Sequence, residues 1–159
     1  MVVRSGWINS STLICMSRFS FRDLTVYQES LSIVEAVYEL IKKFPYEERS
    51  ALSAQLRRSV ISVPSNIAEG SGKMGYPDKI KYISISYGSL METLCQLEIA
   101  YRLKYISKEE FVKLGLKIEN VAKLLSGLKS SFENKKKNSP IEQTDNQQSA
   151  PAHSLTPNL

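Results

Sequence analysis

The sequence is poor in the side chains from which catalytic and metal sites are most often built. It contains one histidine, His153, and two cysteines, Cys15 and Cys95. No Glu-x-x-His pair occurs, which excludes the usual di-iron arrangement of helical bundles. The two cysteines form neither a disulfide framework nor a zinc motif, and neither has a histidine partner for thiol catalysis. We therefore predict that the chain is not an enzyme and binds neither a metal nor a cofactor.

Long apolar runs and a strong excess of one charge are also missing. No stretch approaches the roughly 18 apolar residues that a membrane span needs, and polar residues at 9–12 interrupt any signal-peptide core. We expect a cytoplasmic protein without a membrane partner. The net charge is +5, and residues 21–132 carry 16 basic and 13 acidic side chains. Positive charge is thinly spread, so composition indicates nucleic-acid binding only weakly.

Apolar residues instead recur at steps of three and four through four consecutive segments. This period is typical of amphipathic helices that pack side by side. We therefore predict an all-α fold, an antiparallel up-down-up-down four-helix bundle. The predicted core rows are Tyr27, Leu31, Val34, Tyr38 and Ile41; Leu52, Leu56, Val60, Val63 and Ile67; Ile80, Ile83, Tyr87, Leu90, Leu94, Leu97 and Tyr101; and Phe111, Leu114, Ile118, Val121, Leu125, Leu128 and Phe132.

Several residues mark where these helices begin or bend. Thr25 with Gln28, and Ser107 with Glu110, have the spacing of capping boxes at the starts of the first and last helices. Pro64 inside the second helix predicts a kink, because proline removes an amide donor and clashes with the preceding turn. A second apolar row in the first helix indicates an additional contact surface; it consists of Val26, Ile33, Val37, Leu40 and Phe44.

The periodic pattern is confined to residues 21–132, which we interpret as one bundle domain. Residues 1–20 show no sustained period. Met16 lies just before the bundle, so we weigh two interpretations: that it is the natural start, or that residues 1–20 form an irregular N-terminal arm. Residues 133–159 are polar and rich in Gln, Asn, Ser and Pro, which predicts a disordered C-terminal tail.

The densest run of candidate functional residues lies in the second helix, at positions 55–70. Arg57 and Arg58 are adjacent, so their side chains point about 100° apart on a helix. They could bind phosphates, or they could form ion pairs with Glu47, Glu48 or a carboxylate of a neighbouring helix or subunit. The residue pattern alone leaves both roles open.

Other polar residues are assigned structural or solvated roles. Asn66 and Glu69 lie one turn apart, a spacing that suits a contact with another helix or subunit rather than catalysis. The segment from Gly70 to Lys73 lacks the spacing and the preceding strand of a phosphate-binding loop. The remaining basic residues are interpreted as a solvated helix face and a solubilising tail; they are Lys104, Lys108, Lys113, Lys117, Lys135, Lys136 and Lys137.

Three stretches taken together resemble a known family: residues 21–28 (FRDLTVYQ), 55–70 (QLRRSVISVPSNIAEG) and 88–100 (GSLMETLCQLEIA). The chain resembles, over about residues 19–132, the bacterial four-helix-bundle proteins named after open reading frames in 23S ribosomal RNA intervening sequences. The resemblance implies a ring-like homo-oligomer, a pentamer. That family is in turn similar to accessory proteins of diversity-generating retroelements, basic pentameric bundles that bind nucleic acid and a reverse transcriptase. Lys104 departs from the family pattern, where glycine is frequent, and Lys73 stands where arginine is common.

Two functions follow from the residues and the resemblance together. In the first, Arg57, Arg58 and Lys73 repeat around a ring and form a basic surface that binds RNA or DNA. The alternative is a protein-binding or scaffolding ring without nucleic-acid contact, in which the arginines, with Asn66 and Glu69, hold subunits together.

Overall fold

The structure is a computed structural model that describes residues 20–138; the expected N-terminal arm, the candidate start at Met16 and residues 139–159 lie outside the described part. The described residues form helices and turns and contain no β-strand. The α-helices are α1 (Thr25–Ile41), α2 (Leu52–Ser71), α3 (Tyr76–Arg102) and α4 (Lys108–Lys137), and short 3-10 turns occupy Ser20–Asp23 and Tyr46–Arg49.

The four helices of the described residues pack as a closed bundle. Each helix contacts its neighbours along the chain, and α1 also contacts α4. Because the connections are short, consecutive helices run in opposite directions. The predicted all-α antiparallel four-helix bundle is therefore confirmed.

The core consists of buried aliphatic side chains from all four helices. α2 continues without interruption through the buried Pro64, and α3 contributes Leu90 and Leu97.

Tyr87 and Tyr101, predicted in the core row of α3, are 40% and 36% exposed, so those two assignments are wrong. A strict 3.5-residue row drifts around a straight helix of 3.6 residues per turn. The most buried hydrophobic residues of α2 and α4 are Leu56, Val60, Val63, Ile67, Ile118, Val121 and Leu125.

The side of α1 that faces the core is not the row that the sequence pattern placed there. The buried residues of α1 are Val26, Ser30, Ile33, Val37, Leu40 and Ile41, which is mostly the second apolar row. The predicted row is only half-buried at Tyr27, Leu31, Val34 and Tyr38. The two rows are adjacent on the helix and both are apolar, so periodicity could not choose between them.

Small polar side chains fill the contact between α2 and α3. The Ser59 hydroxyl donates to Gln96 Oε1 (2.7 Å) and accepts from Thr93 Oγ1 (3.0 Å), and all three residues are buried. One turn further along α2, Ser86 donates to the backbone carbonyl of Val63 (2.9 Å). Every hydroxyl in this set has a partner, so the seam does not carry the penalty of unpaired buried polar groups.

The two backbones of this pair come very close near the end of α2. A Cβ atom added to Gly70 would lie 2.9 Å from Cβ of Tyr82 in α3. That separation is shorter than side chains tolerate, so glycine at this position is required by the approach of α3.

The connection from α3 to α4 contains a residue in the left-handed conformation. Lys104 has φ of 61°. Its amide donates to the carbonyl of Tyr101, and the amide of Tyr105 donates to the carbonyl of Ala100, both at 2.9 Å. This pair of bonds is the Schellman arrangement, in which the left-handed position usually holds glycine.

The two predicted capping boxes have different outcomes. Glu110 N donates to Ser107 Oγ (3.2 Å), and Ser107 N donates to Glu110 Oε2 (2.9 Å), so the box that starts α4 is confirmed. The box at the start of α1 is wrong. Thr25 is already helical, no side chain caps this end, and Gln28 Nε2 instead donates to the carbonyl of Arg22 (2.8 Å).

The last helix extends past the predicted end of the bundle. α4 continues to Lys137, whereas the sequence analysis placed a disordered tail from Glu133 onward. Glu133 and the three lysines at 135–137 are good helix formers, and lysines in the final turn interact favourably with the negative end of the helix dipole. The predicted boundary between the bundle and the tail, at residue 133, therefore lies too early in the chain.

Candidate nucleic-acid interface

The two arginines singled out by the sequence lie in the first half of α2. Arg57 is half-buried, and its Nη1 lies 3.5 Å from the backbone carbonyl of Arg49. Arg58 is exposed, and its Nη2 donates to Gln55 Oε1 (3.1 Å). Neither guanidinium forms an ion pair with a carboxylate among residues 20–138.

The carboxylates expected to pair with them lie elsewhere. Glu48 accepts from the amide of Leu52 and from the hydroxyl of Tyr105, both at 3.1 Å. The second of these bonds raises the pKa of Tyr105. Glu47 forms no ion pair within the described part of the chain. Within the described residues the arginines therefore do not pair with Glu47 or Glu48. The two other roles considered for them, binding phosphate and pairing with a carboxylate of another subunit, stay predictions.

An open apolar groove lies between α1 and α2, beside the arginines. Its volume is about 320 Å³. Ile61, which is 43% exposed, lies one turn from both Arg57 and Arg58 on α2. The α1 wall is the half-buried row that was predicted to face the core, so the sequence analysis missed the groove. The lining residues are Phe21, Tyr27, Leu31, Val34, Ile61, Pro64, Ser65 and Ala68.

Lys73 lies beyond the other end of α2. Its Nζ is 3.3 Å from Glu69 Oε1 and 4.7 Å from the ring centre of Tyr82. The hydrogen bond with Glu69 raises the pKa of Lys73. A hydrogen bond from Tyr82, followed by that from Lys73, lowers the pKa of Glu69. Since α2 rises about 1.5 Å per residue, Lys73 and the arginines do not form one site within a single chain.

Asn66 serves the contact between α2 and α3. Its Nδ2 donates to the carbonyl of Ser62 (2.7 Å) and to Ser62 Oγ (2.9 Å). Ser62 Oγ in turn bonds Ser89 Oγ of α3 (2.8 Å). Asn66 and Glu69 therefore have different partners within the chain, although they lie one turn apart.

The last turn of α4 adds a group of lysines that the sequence analysis assigned to a tail. At the same end of the bundle, Lys79 Nζ lies 5.8 Å from the ring centre of Phe132. Tyr76 packs against that ring at 6.2 Å between centroids. α2 finishes at this end and is followed by Lys73. We call these lysines the basic end: Lys73, Lys79, Lys135, Lys136 and Lys137.

The residues most often found in metal and thiol sites are few and scattered in the described part of the chain. Within residues 20–138, no group of three or more His, Cys, Asp or Glu residues is placed to hold a metal ion. Cys95 is exposed and its thiol is not in a disulfide, while His153 and Cys15 lie outside the described residues. Among the helices described, none is long and apolar enough to cross a bilayer.

Comparisons with known proteins agree with the fold. A family model described as 23S rRNA-intervening sequence protein matches residues 22–127. No curated protein matches the chain. The chain is similar to the crystal structure of a protein of unknown function from the S23 ribosomal protein family of Bacteroides thetaiotaomicron, with 26% sequence identity and a TM-score of 0.63, over 69% of this chain and 98% of that chain. Because the family model spans more than half of the chain, the protein belongs to the 23S rRNA-intervening sequence protein family.

Proposed function

We propose that the chain is a non-enzymatic, cytoplasmic protein that assembles into a ring of identical subunits, a pentamer. The ring associates with nucleic acid, and RNA is the first candidate. The observation that carries the nucleic-acid part is the pair Arg57 and Arg58. Neither has a carboxylate partner among the described residues. The planar guanidinium group binds phosphate through two parallel hydrogen bonds.

Assembly matters to this proposal because one copy is only weakly basic. The whole chain has a net charge of +5, which is small for a dedicated nucleic-acid-binding protein. A ring repeats the arginines and the basic end in every subunit, so the ring supplies many phosphate contacts at once. Such binding depends steeply on salt and little on nucleotide sequence.

The proposal is tested by fluorescence anisotropy with labelled RNA and DNA of one sequence, at about 50 mM and about 200 mM salt. We expect tight binding at low salt and much weaker binding at high salt. Arg57→Gln with Arg58→Gln should weaken binding at low salt. Lys42→Gln with Lys123→Gln removes the same charge from lysines already paired with Glu39 and Glu119, and should have little effect. No binding by the unmodified chain at low salt would contradict the proposal.

A second function, a protein-binding or scaffolding ring, is favoured by the apolar groove. An outward row on α3 has matching chemistry: Ile85 and Ile99 are both 41% exposed, and Glu92 lies between them. Arg57 and Arg58 lie one turn from Ile61 of the groove, so a row with a carboxylate complements this region in charge as well as in polarity. In this function the arginines join subunits, and their substitution breaks the oligomer without changing nucleic-acid binding.

A further inference from the structure

A cleft of about 330 Å³ opens between α1 and α4, apart from the groove and from the basic end. Its walls include the aliphatic side chains of Ala36, Leu40 and Leu114. This volume lies at the lower end of the range found for small-molecule sites. The charged residues that line the cleft are Glu39, Lys43, Glu110, Lys113 and Lys117.

Both carboxylates at this cleft already have cationic or backbone partners. Glu39 accepts two hydrogen bonds from Lys42 Nζ, at 2.6 and 2.8 Å. Glu110 pairs with Lys43 and also accepts from the amide of Ser107 (2.9 Å). The bond with Lys43, followed by that with Ser107, lowers the pKa of Glu110. The negative charge of the cleft is therefore balanced locally.

Two cations remain unbalanced there. Lys117 is half-buried, and its one hydrogen bond among the described residues is a long one, 3.4 Å, to Ser32 Oγ. Lys113 forms no hydrogen bond or ion pair within residues 20–138. The two lysines lie one turn apart on α4, where like charges repel. An anion placed between them would remove that repulsion and accept charge-assisted hydrogen bonds.

We propose that this cleft binds a small amphiphilic anion, with its aliphatic chain against Ala36, Leu40 and Leu114 and its carboxylate or phosphate head between Lys113 and Lys117. The residues that line the cleft include no aromatic ring, so the cleft offers no platform on which a nucleobase could stack. The aliphatic walls and paired cations together match a short fatty acid or alkyl phosphate. This site is separate from the proposed nucleic-acid function.

The test titrates octanoate and octyl phosphate, both below their micelle concentrations, into the full-length isotope-labelled chain and follows the amide NMR signals. We expect saturable shifts at residues 36–40 and 113–117. Lys113→Gln with Lys117→Gln should weaken binding by about tenfold or more, because it removes both charge-assisted bonds. Ala36→Phe should abolish binding by filling the cleft. The charge-matched control, Lys81→Gln with Lys123→Gln, should change affinity by less than about twofold.

The affinities of octanoate and octyl phosphate are then compared. The probe that binds more tightly shows whether the cleft prefers a carboxylate or a phosphate head group. Neutral 1-octanol should bind much more weakly than octanoate. The proposal is wrong if neither probe gives saturable shifts, if octanol binds as well as octanoate, or if the lysine double variant binds as the unmodified chain does. If Ala36→Phe fails to fold by circular dichroism, the surface lysine variant decides.

Discussion

At the scale of single residues, Lys104 has a left-handed backbone conformation, and a substitution can measure the strain that this conformation causes. Its φ of 61° brings the side chain close to the backbone, which costs about 1 kcal/mol or more for a residue with a Cβ atom. Glycine avoids this cost, although its greater freedom in the unfolded chain offsets part of the gain.

We predict that Lys104→Gly raises the free energy of unfolding by about 0.5–1 kcal/mol. Urea denaturation followed by circular dichroism measures the change. Lys81→Gly is the control, because Lys81 is exposed inside α3 and glycine there should lower the free energy of unfolding by about 1 kcal/mol. Equal effects of the two substitutions would show that Lys104 is not strained.

Local signals at this scale were predictable where all the interacting atoms are close in sequence. The Ser107 and Glu110 capping box depends on residues three apart, and the resemblance already marked Lys104 as a departure from glycine. The box predicted at Thr25 failed because the Gln28 side chain found the carbonyl of Arg22 instead. Several acceptors compete at a helix start, and spacing alone cannot rank them.

At the scale of elements, the close approach of α2 and α3 at Gly70 predicts a large effect from a small substitution. Gly70→Ala should lower the free energy of unfolding by about 1–3 kcal/mol, because the added methyl group meets Tyr82 Cβ. Gly127→Ala is the matched control in α4, where an added Cβ meets nothing within 4 Å, and it should stabilise the helix by about 0.5–1 kcal/mol. Thermal unfolding of both variants checks the opposite signs.

The contact between Lys43, which follows α1, and Glu110 of α4 should make stability depend on pH. The pKa of Glu110 is lowered in the folded chain from its ordinary value of 4.5. Stabilisation by this carboxylate is therefore present above pH 4.5 and is lost as the pH falls through the lowered pKa.

We predict that Glu110→Gln lowers the melting temperature at pH 7, and that its difference from the unmodified chain shrinks as the pH falls below about 4. Glutamine still suits the capping box, so the variant isolates the charge. Melting curves at several pH values test this. Glu35→Gln, at an exposed carboxylate without an ion pair in the described part, should show no comparable trend. A difference that stays constant with pH would contradict the prediction.

Which side of an element faces the core was harder to predict than the element itself. All four helices and the core rows of α2 and α4 follow from a period of three and four. For α1, two adjacent apolar rows satisfied the pattern, and the packing of α2 and α4 against α1 decides which row is buried. The hydroxyl seam of Ser59 and Thr93 was missed because hydrophobic periodicity does not register buried polar residues whose partners lie on another helix.

At the scale of the whole molecule, the predicted site residues are spread along the bundle. Arg57 and Arg58 lie near the start of α2, whereas Lys73 follows its end. A single chain therefore presents two separate basic regions. This separation follows from the predicted second helix, because most of that helix lies between the arginines and Lys73 and rises about 1.5 Å per residue. Only a repeated arrangement of copies could make one continuous surface of them.

Self-association through the apolar groove predicts a specific dependence on Ile61. We expect Ile61→Lys to convert the oligomer into monomers, because it places a cation in an apolar contact, one turn from Arg57 and Arg58. Size-exclusion chromatography with light scattering gives the mass. Leu116→Lys, at a leucine of α4 that is 64% exposed, is the control and should leave the mass unchanged. An unmodified chain that is monomeric, or an Ile61→Lys variant that stays oligomeric, would exclude this interface.

The hydroxyl seam between α2 and α3 has a consequence for how these helices can move. Aliphatic ridges tolerate small displacements, but the hydroxyls of this seam form hydrogen bonds to groups at fixed positions on the opposite helix. Sliding α3 by one turn would break these bonds. Thr93 and Ser59 would keep acceptors in their own helices, the carbonyls of Ser89 (2.9 Å) and Leu56 (3.3 Å), but Ser86 would lose the carbonyl of Val63, at a cost of about 1–3 kcal/mol for an unpaired buried hydroxyl. The α2–α3 pair should therefore resist sliding more strongly than a purely aliphatic contact would.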